Sequence, residues 1–322
     1  MAQQGNTQSG ENRRIAGAES PPYRPLVSIV VPMFNAALTI ERALRSIEAQ
    51  SYPNWEAIFI DDASEDEGAR YVAAAESRDR RIRLIRLDLN GGPARARNLG
   101  ISACRGELVA FLDADDEWLP EKLARQVAPF GADTGLSLVV ADMQVTDVAG
   151  AAGSSVYARQ APVQGAEAWR TLLGSSFVAT SVAVTRRDLL ESVGGFDPDL
   201  IVGEDQDLFI RLALAGRVQA LAEPLAIYHW MSHSYSTGHA ARQARDVLAM
   251  VHRHLDRLAD KLSRRERRDI LARRYERLGR NLVDAGAWLA GMQLLLGAAL
   301  SGRAPLYNLF LPLRRLMRPV RS

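Results

Sequence analysis

The stretch "GELVAFLDADDEWLP", residues 106–120, places a short apolar run directly before a cluster of acids. Leu108 to Leu112 have the length and composition of a buried strand. The four acids that follow are Asp113, Asp115, Asp116 and Glu117. Like charges this close repel one another, so the cluster needs a cation or a hydrogen-bond network to compensate. The sequence therefore predicts a polar site where this strand ends.

Three strand and helix units precede this stretch. Their expected strands are the apolar run "LVSIVVPMF" (26–34), the short apolar strand with acids at its end in "WEAIFIDDAS" (55–64), and "IRLIRLDLN" (82–90). We expect the intervening helices to begin after Thr39 as N-cap, at a capping box of Ser64 and Glu67, and at Pro93. This alternation predicts an α/β fold with a mostly parallel central sheet flanked by helices.

The strand ends of this predicted sheet carry the polar residues. Ligands bind open α/β sheets at the carboxyl ends of the strands. Those ends are Pro32 to Asn35, Asp61 to Asp62, and Asp113 to Asp116. After Pro120 we expect a helix over 121–130, a strand over 136–147, a helix around Trp169, a strand and helix ending at Gly194, and a buried helix over 204–216.

The chain becomes basic after residue 239. Residues 240–322 carry 18 basic and 7 acidic side chains, a balance of +11, whereas residues 1–239 carry 22 and 31, a balance of −9. Apolar residues at alternating spacings of three and four predict an amphipathic helix over 248–262, and a second helix is expected over 264–283. The apolar span 285–300 is shorter than the roughly 20 residues that cross a bilayer, which favours a buried or interfacial helix.

Composition narrows the class of protein. The chain has 322 residues, of which 47% are apolar and 24% charged, as in globular proteins. Cys104 is the single cysteine, so an intrachain disulfide is excluded and an intracellular location is the simplest expectation. The first 25 residues are polar, which predicts a disordered segment without a secretory signal.

The pair Asp113 and Asp115 suits a divalent metal. Carboxylates at the mouth of a parallel sheet bind Mg²⁺ or Mn²⁺ and leave coordination positions open for a diphosphate. Such a metal neutralises a leaving diphosphate and acts as a Lewis acid. The glycine-rich phosphate-binding motifs G-x-x-x-x-G-K-[ST] and G-x-G-x-x-G are absent from the expected positions.

Three motifs, taken in order, resemble family 2 nucleotide-sugar glycosyltransferases of the GT-A fold. They are "VSIVVPMFNAALTIERALRSIEAQSYPNWEAIFIDDASEDEG", "NGGPARARNLGISACRGELVAFLDADDEWLPEKL" and "GGFDPDLIVGEDQDLFIRLALAG". The similarity covers about residues 26–230. It implies inverting transfer of a sugar from a nucleoside-diphosphate sugar, with a UDP-sugar favoured, to a saccharide or lipid-linked acceptor.

The resemblance assigns roles at the donor side. Pro32 and Phe34 would line the base pocket, and Asp62 would hydrogen-bond the nucleotide base. Asp115 would bind the metal directly, with Asp113 nearer the ribose and as a further ligand.

Two further residues, Arg97 and Asn98, match positions close to the nucleotide. In "GEDQD", Asp205 matches the catalytic base and Glu204 is the alternate, since an acceptor hydroxyl needs a base in the transition state. The competing interpretation is that Glu204, Asp205 and Asp207 favour the positive end of the following helix.

The sequence does not assign a single role to three histidines and one tryptophan near these motifs. His229, His233 and His239 lack the spacing of a zinc site, and His229 or His233 could lie near the diphosphate. Trp118 could be a packed wall or a platform for a sugar. The Q-x-x-R-W sequence of processive members and their membrane spans are not found, which favours transfer of a single sugar.

The predicted domains are a disordered segment (1–25), a GT-A domain (26–239) with nucleotide and acceptor halves (26–116 and 117–239), and a basic helical extension (240–322). The extension would bind an anionic membrane surface, or pack on the catalytic domain or on a second copy in a homodimer. Nucleic acid is disfavoured because aromatic residues are sparse among its arginines. A nucleotidyltransferase and a non-catalytic nucleotide-sugar-binding module are the alternative functions. The predicted location is the cytoplasm. If the extension binds membrane, the protein would lie on the inner face of that membrane.

Overall fold

The computed structural model describes residues 23–146, 151–229 and 240–301. The N-terminal segment was predicted to be disordered over residues 1–25. Residues 1–22 of that segment lie outside the described range. His233, His239 and the basic end of the chain from residue 302 also lie outside it.

Strands and helices alternate through the first part of the described chain. The strands are β1 Val27–Met33, β2 Trp55–Asp61, β3 Ile82–Arg86, β4 Leu108–Phe111, β5 Glu117–Trp118, β6 Leu136–Thr146, β7 Ala152–Ser155, β8 Ala183–Arg186 and β9 Arg217–Tyr228. The helices are α1 Ile40–Glu48, α2 Gly68–Glu76, α3 Pro93–Ser102, α4 Lys122–Ala132, α5 Val156–Arg159, α6 Ala168–Gly174, α7 Arg187–Ser192, α8 Glu204–Ala215, α9 Ala240–Arg257, α10 Arg264–Asp284 and α11 Trp288–Leu300.

One sheet contains all the strands of the described residues, in the order β3-β2-β1-β4-β8-β6-β9-β5, with β7 paired to β6. The first four strands are parallel, as predicted, and the α/β class is confirmed. The second half is mixed, because β8 runs antiparallel to both β4 and β6 while β6 and β9 are parallel. The carboxyl ends of β1, β2 and β4 therefore meet at one edge of the sheet.

Apolar side chains form a core on each face of the sheet. One cluster contains residues of α3, α6, α8, α9 and α10, and the other contains residues of α1, α2 and α4. Helix α3 crosses β1 closely at Gly100, where an added Cβ would lie 2.5 Å from a methyl group of Val30. The backbone of α3 is thereby held directly over the central strands.

The capping box predicted at Ser64 and Glu67 is wrong. Helix α2 begins at Gly68 with Glu67 as N-cap, and no side chain caps it there. The Ser64 hydroxyl instead accepts a hydrogen bond from the Asn35 amide, 2.9 Å away. Asn35 has φ 48°, a left-handed conformation that the turn after β1 requires, so this loop uses Ser64 for its own closure.

The basic extension folds into the helices that its periodicity predicts. Helices α9 and α10 pack against α6 and α8 through the first apolar cluster, and α11 packs along α10. Within the described residues, no helix is long and apolar enough to cross a membrane.

Candidate active site

The acids after β4 directly follow a fully buried, hydrogen-bonded strand. The four residues of β4 are fully buried, and the Leu112 amide donates to the Val30 carbonyl at 3.1 Å. The Asp116 amide then donates to the Asp113 carbonyl at 3.0 Å, which closes a turn with Asp115 inside it. The turn holds Asp113 and Asp115 at the mouth of the sheet, as the sequence predicts.

Ser181 supports this turn from the short 3₁₀ helix Thr180–Val182. Its hydroxyl accepts from the Asp113 amide at 3.0 Å and donates to the Asp116 carboxylate. Asp116 is buried, and burial together with the charge of Asp113 raises its pKa well above the ordinary value. Asp116 is therefore part of the support beneath the turn.

Trp118 is buried next to Ser181 and helps to hold the 3₁₀ helix in place. Only 2% of its surface is exposed, and its indole nitrogen donates to the Ser181 carbonyl at 2.7 Å. A buried ring of this kind offers no open face to a sugar, so the packed-wall interpretation holds.

The surroundings of Asp115 disfavour its charged form. Burial, followed by the charge of Asp113, raises its pKa. Arg42, on α1, donates to the Asp115 backbone carbonyl at 2.6 Å and leaves the carboxylate itself for another partner. Hard carboxylate oxygens that share negative charge at a strand end suit Mg²⁺ or Mn²⁺.

Arg97, on α3, joins two acidic segments that lie 91 positions apart. Its guanidinium donates to Asp113 at 2.7 Å and to Glu204 at 2.9 Å, and it lies over the Phe196 ring. Burial opposes its charge, but the Asp113 and Glu204 carboxylates outweigh burial and raise the pKa of Arg97. The guanidinium is thus a fixed positive charge between the strand-end acids and the "GEDQD" segment.

The acids of "GEDQD" occupy the first turn of α8. Gly203, with φ 89°, is the N-cap, and no side chain caps the helix. Burial and the charge of Asp205 raise the pKa of Glu204 to about 7. Burial likewise raises the pKa of Asp205, whose carboxylate accepts from the Gln206 amide at 2.7 Å. The two interpretations of this segment, a helix N-terminus and a catalytic base, therefore concern the same residues, and the catalytic role stays a prediction.

Asp207, in the same first turn of α8, has a different environment. It accepts from Arg211 at 2.6 Å and from His254, on α9, at 2.8 Å. Burial raises the pKa of Asp207, but these two partners outweigh it and hold the pKa below the ordinary value. Asp207 therefore anchors α8 to the extension and is ionised without a ligand.

The predicted nucleotide pocket lies at the ends of β1 and β2. Phe34 is 51% exposed and Pro32 is partly exposed, so both are accessible to a base. The Asp62 carboxylate is buried and accepts from the amides of Gly91 and Gly92, each at 2.8 Å. Asp62 thereby fixes the turn into α3, and its contact with a base stays a prediction.

Asn98 has a structural role. Its side-chain amide donates to the Phe196 carbonyl and accepts from the Phe196 amide, both at 2.8 Å. His229 directly follows β9, and its Nε2 atom lies 3.0 Å from a carboxylate oxygen of Glu117 on β5. Among the described residues, no group of three or more His, Cys, Asp or Glu side chains could hold a metal by itself.

No motif or periodicity in the sequence pointed to Ser181 or Arg42. Ser181 lies in a stretch without periodicity, and Arg42 occupies an ordinary polar position of an amphipathic helix. Only the fold brings them to the strand ends.

Comparison with known proteins defines the class. A family model described as "Glycosyl transferase family 2" matches residues 28–194. The chain is 30% identical over 240 residues to the amylovoran biosynthesis glycosyltransferase AmsB of Erwinia amylovora, and the match covers 71% of this chain and 79% of AmsB. The chain therefore belongs to glycosyltransferase family 2, which confirms the resemblance seen in its motifs.

Two other relatives match over a smaller share of their own length. The O-antigen biosynthesis protein RfbC of Myxococcus xanthus is 35% identical over 209 residues, which cover 64% of this chain and 16% of RfbC. The UDP-Glc:alpha-D-GlcNAc-diphosphoundecaprenol beta-1,3-glucosyltransferase WfgD of Escherichia coli is 40% identical over 103 residues, which cover 32% of this chain and 40% of WfgD. The matches thus span less than half the length of these two relatives.

A solved structure has the same fold. The mannosyltransferase PcManGT from Pyrobaculum calidifontis, in complex with GDP-Man and Mn²⁺, has a TM-score of 0.61 and 26% identity, with 93% of this chain and 85% of that chain covered. The predicted GT-A fold is confirmed.

Proposed function

We propose that the chain is an inverting glycosyltransferase that moves a sugar from a nucleoside-diphosphate sugar to a hydroxyl group of a saccharide or lipid-linked acceptor. The observation that carries this proposal is the double ion pair by which Arg97 joins Asp113 to Glu204. Acids suited to a metal-bound diphosphate are thereby adjacent to acids suited to accepting a proton.

Asp115, with Asp113, fits a divalent cation. Their carboxylates are hard oxygen ligands, and the charge of one raises the pKa of the other, so a cation would relieve their repulsion. Two protein carboxylates leave positions for the diphosphate oxygens. A bound Mn²⁺ or Mg²⁺ would neutralise the leaving diphosphate.

Asp205 is the proposed base. In an in-line displacement the acceptor oxygen forms a bond to the anomeric carbon, the bond from that carbon to the diphosphate breaks, and the hydroxyl proton passes to Asp205. Glu204 is bound to Arg97, whereas Asp205 accepts from the Gln206 amide. Burial raises the pKa of Asp205, and a base of higher pKa accepts a proton more readily.

The names of two relatives support the proposed donor and acceptor classes. WfgD is named for a UDP-glucose donor and a diphosphoundecaprenol-linked acceptor, and PcManGT binds GDP-Man. We favour a UDP-sugar and a lipid-linked saccharide, in the synthesis of a surface polysaccharide or glycolipid.

We further propose that the protein lies peripherally on the inner face of an anionic membrane. The exposed apolar side chains of helix α11 support this proposal. Leu289 and Leu300 are each 78% exposed on this apolar helix. Flotation with anionic vesicles should be lost in a Leu289→Glu and Leu300→Glu double variant. Self-association that the same variant abolishes, without flotation of the wild type, would favour a homodimer instead.

The proposal is tested by titrating a panel of nucleotide sugars with and without Mn²⁺. The wild type should bind a nucleoside-diphosphate sugar in a metal-dependent manner, and Asp115→Asn should lose that dependence. Asp88→Asn, at an exposed acid, is the matched control. Release of pyrophosphate from a nucleoside triphosphate would instead show a nucleotidyltransferase, and metal-dependent binding without donor turnover would indicate a binding module.

A further inference from the structure

An arginine-lined cleft of about 520 Å³ opens between α10 and the segment that runs from α5 to α6. Its lining includes the arginines Arg159, Arg273, Arg277 and Arg280, and one acid, Glu276. Glu276 is paired with Arg280. The charged lining residues therefore carry an excess of three positive charges at a concave surface, which suits an anion.

The cleft lies beside the proposed catalytic base. Directly behind it, the buried Arg274 donates to the Leu173 carbonyl at 2.6 Å and to the Gln206 side chain at 2.7 Å. Burial and the charge of Arg277 lower the pKa of Arg274 to about 9, and the charge of Asp205 opposes this shift. Arg274 thus remains charged at neutral pH and links the cleft wall to the residue that follows Asp205.

The cleft is also connected to the strand-end acids. Arg277 donates to the Ser175 hydroxyl at 2.7 Å and to the Ser176 carbonyl at 3.0 Å. Five residues later, Ser181 supports the turn of Asp113. Five residue steps span at most roughly 18 Å, so an extended acceptor could reach from the cleft to the reaction centre.

We propose that this cleft binds the phosphate or diphosphate group of the acceptor. A guanidinium group can donate two parallel hydrogen bonds to the oxygens of one phosphate group. The proposed site for the donor diphosphate is separate, at Asp113 and Asp115. The acceptor would then lie with its anion on α10 and its hydroxyl at Asp205. This inference rests on the proposed function, since it assigns the acceptor of that reaction.

The test measures anion binding in the full chain by calorimetric titration, in EDTA and without a sugar donor. The probes are inorganic pyrophosphate and farnesyl diphosphate. Arg277→Gln and, separately, Arg280→Gln should each weaken binding roughly tenfold or more, as expected for a lost charged hydrogen bond. Arg268→Gln, an exposed arginine of the same helix outside the cleft lining, should bind as the wild type does.

Two comparisons decide the outcome. Tighter binding of farnesyl diphosphate than of pyrophosphate supports an acceptor whose lipid chain is also bound, and equal binding supports an acceptor bound through its phosphate group alone. Equal affinity of the wild type and both cleft variants, or no binding of either probe, would overturn the inference. Because the metal and donor are left out, this failure is distinct from failure of the donor titration.

Discussion

Arg97 holds two carboxylates of the site at the same time. The Arg97→Gln variant should leave Asp113 and Glu204 facing each other with little compensation. Loss of one partner from a buried charge network costs about 3 to 5 kcal/mol, so the free energy of unfolding should fall by that amount. Urea denaturation measures it, with Arg95→Gln, at an exposed position of the same helix, as the control. Equal stability of the two variants would contradict the bridging role of Arg97.

Glu204 makes stability depend on pH. Burial and Asp205 raise the pKa of Glu204 to about 7 in the folded protein, above the ordinary value of 4.5. The folded state therefore binds the proton more tightly than the unfolded state, and this residue's contribution to stability falls as pH rises from about 4.5 to about 7.

The Glu204→Gln variant should remove this dependence. Its stability relative to the wild type should rise between pH 5 and pH 8, as measured by thermal unfolding at a series of pH values. If the variant instead loses stability relative to the wild type over this range, the ionised carboxylate stabilises the fold through Arg97, and our account of Glu204 is wrong.

Individual site residues could be predicted to different extents. Asp113, Asp115 and Asp205 follow from the motifs and their family resemblance, because chemistry restricts the residue type at those positions. Ser181 and Arg274 could not be found, because a serine beside a short strand and an arginine in a basic helix are both common. Their roles depend on contacts across 65 and 68 positions of the chain, which local patterns do not report.

At the scale of elements, the buried strands β1 and β4 were predictable because each is an almost entirely apolar run. Strand β9 was missed, since Glu223 and Pro224 interrupt its pattern. The structure accommodates them with register shifts against β6 between Ala141 and Asp142 and between Asp142 and Met143. Proline lacks a backbone donor, so such an irregular position is where a strand tolerates it.

Helices α10 and α11 cross at two glycines. A Cβ at Gly291 would lie 2.8 Å from the Gly279 carbonyl oxygen and 2.7 Å from a Val283 methyl group. Gly291→Ala should therefore push the helices apart and lower the free energy of unfolding by about 1 to 3 kcal/mol, as measured by thermal unfolding.

Gly297→Ala is the matched control on the same helix. Its Cβ would have an ordinary contact of 3.4 Å with Tyr275, and alanine is the better helix former by up to about 1 kcal/mol. This variant should be neutral or more stable. Equal effects of the two substitutions would contradict the close crossing.

At the scale of the whole molecule, helix α9 of the extension shares a hydrophobic core with helices on one face of the sheet. Met250 and Val247 of α9 are buried in the cluster that also contains residues of α3 and α8. Val247 lies against Gly203, the N-cap of the helix that carries Asp205. The sequence predicted these helices from their periodicity, but not where they pack, since periodicity defines an apolar face without naming its partner.

Unfolding should therefore be cooperative across the described chain. Met250→Ala should destabilise the protein by about 2 to 5 kcal/mol. The fluorescence of the buried Trp55 and Trp118 should change at the same temperature as the far-ultraviolet circular dichroism of the helices. His252→Ala, at an exposed position of α9, should leave this temperature unchanged. Separate transitions of the two signals would contradict a shared core.

The central claim, that Asp205 deprotonates the acceptor at a nucleotide-sugar site, is tested most directly by Asp205→Asn. Sugar transfer to acceptor-bearing membranes and donor affinity would be measured on the same preparation, with the exposed Asp199→Asn as the control. We predict that transfer falls by about 10²- to 10⁴-fold, the usual contribution of a general base, while donor affinity is unchanged. Transfer at the wild-type rate in Asp205→Asn would contradict the account.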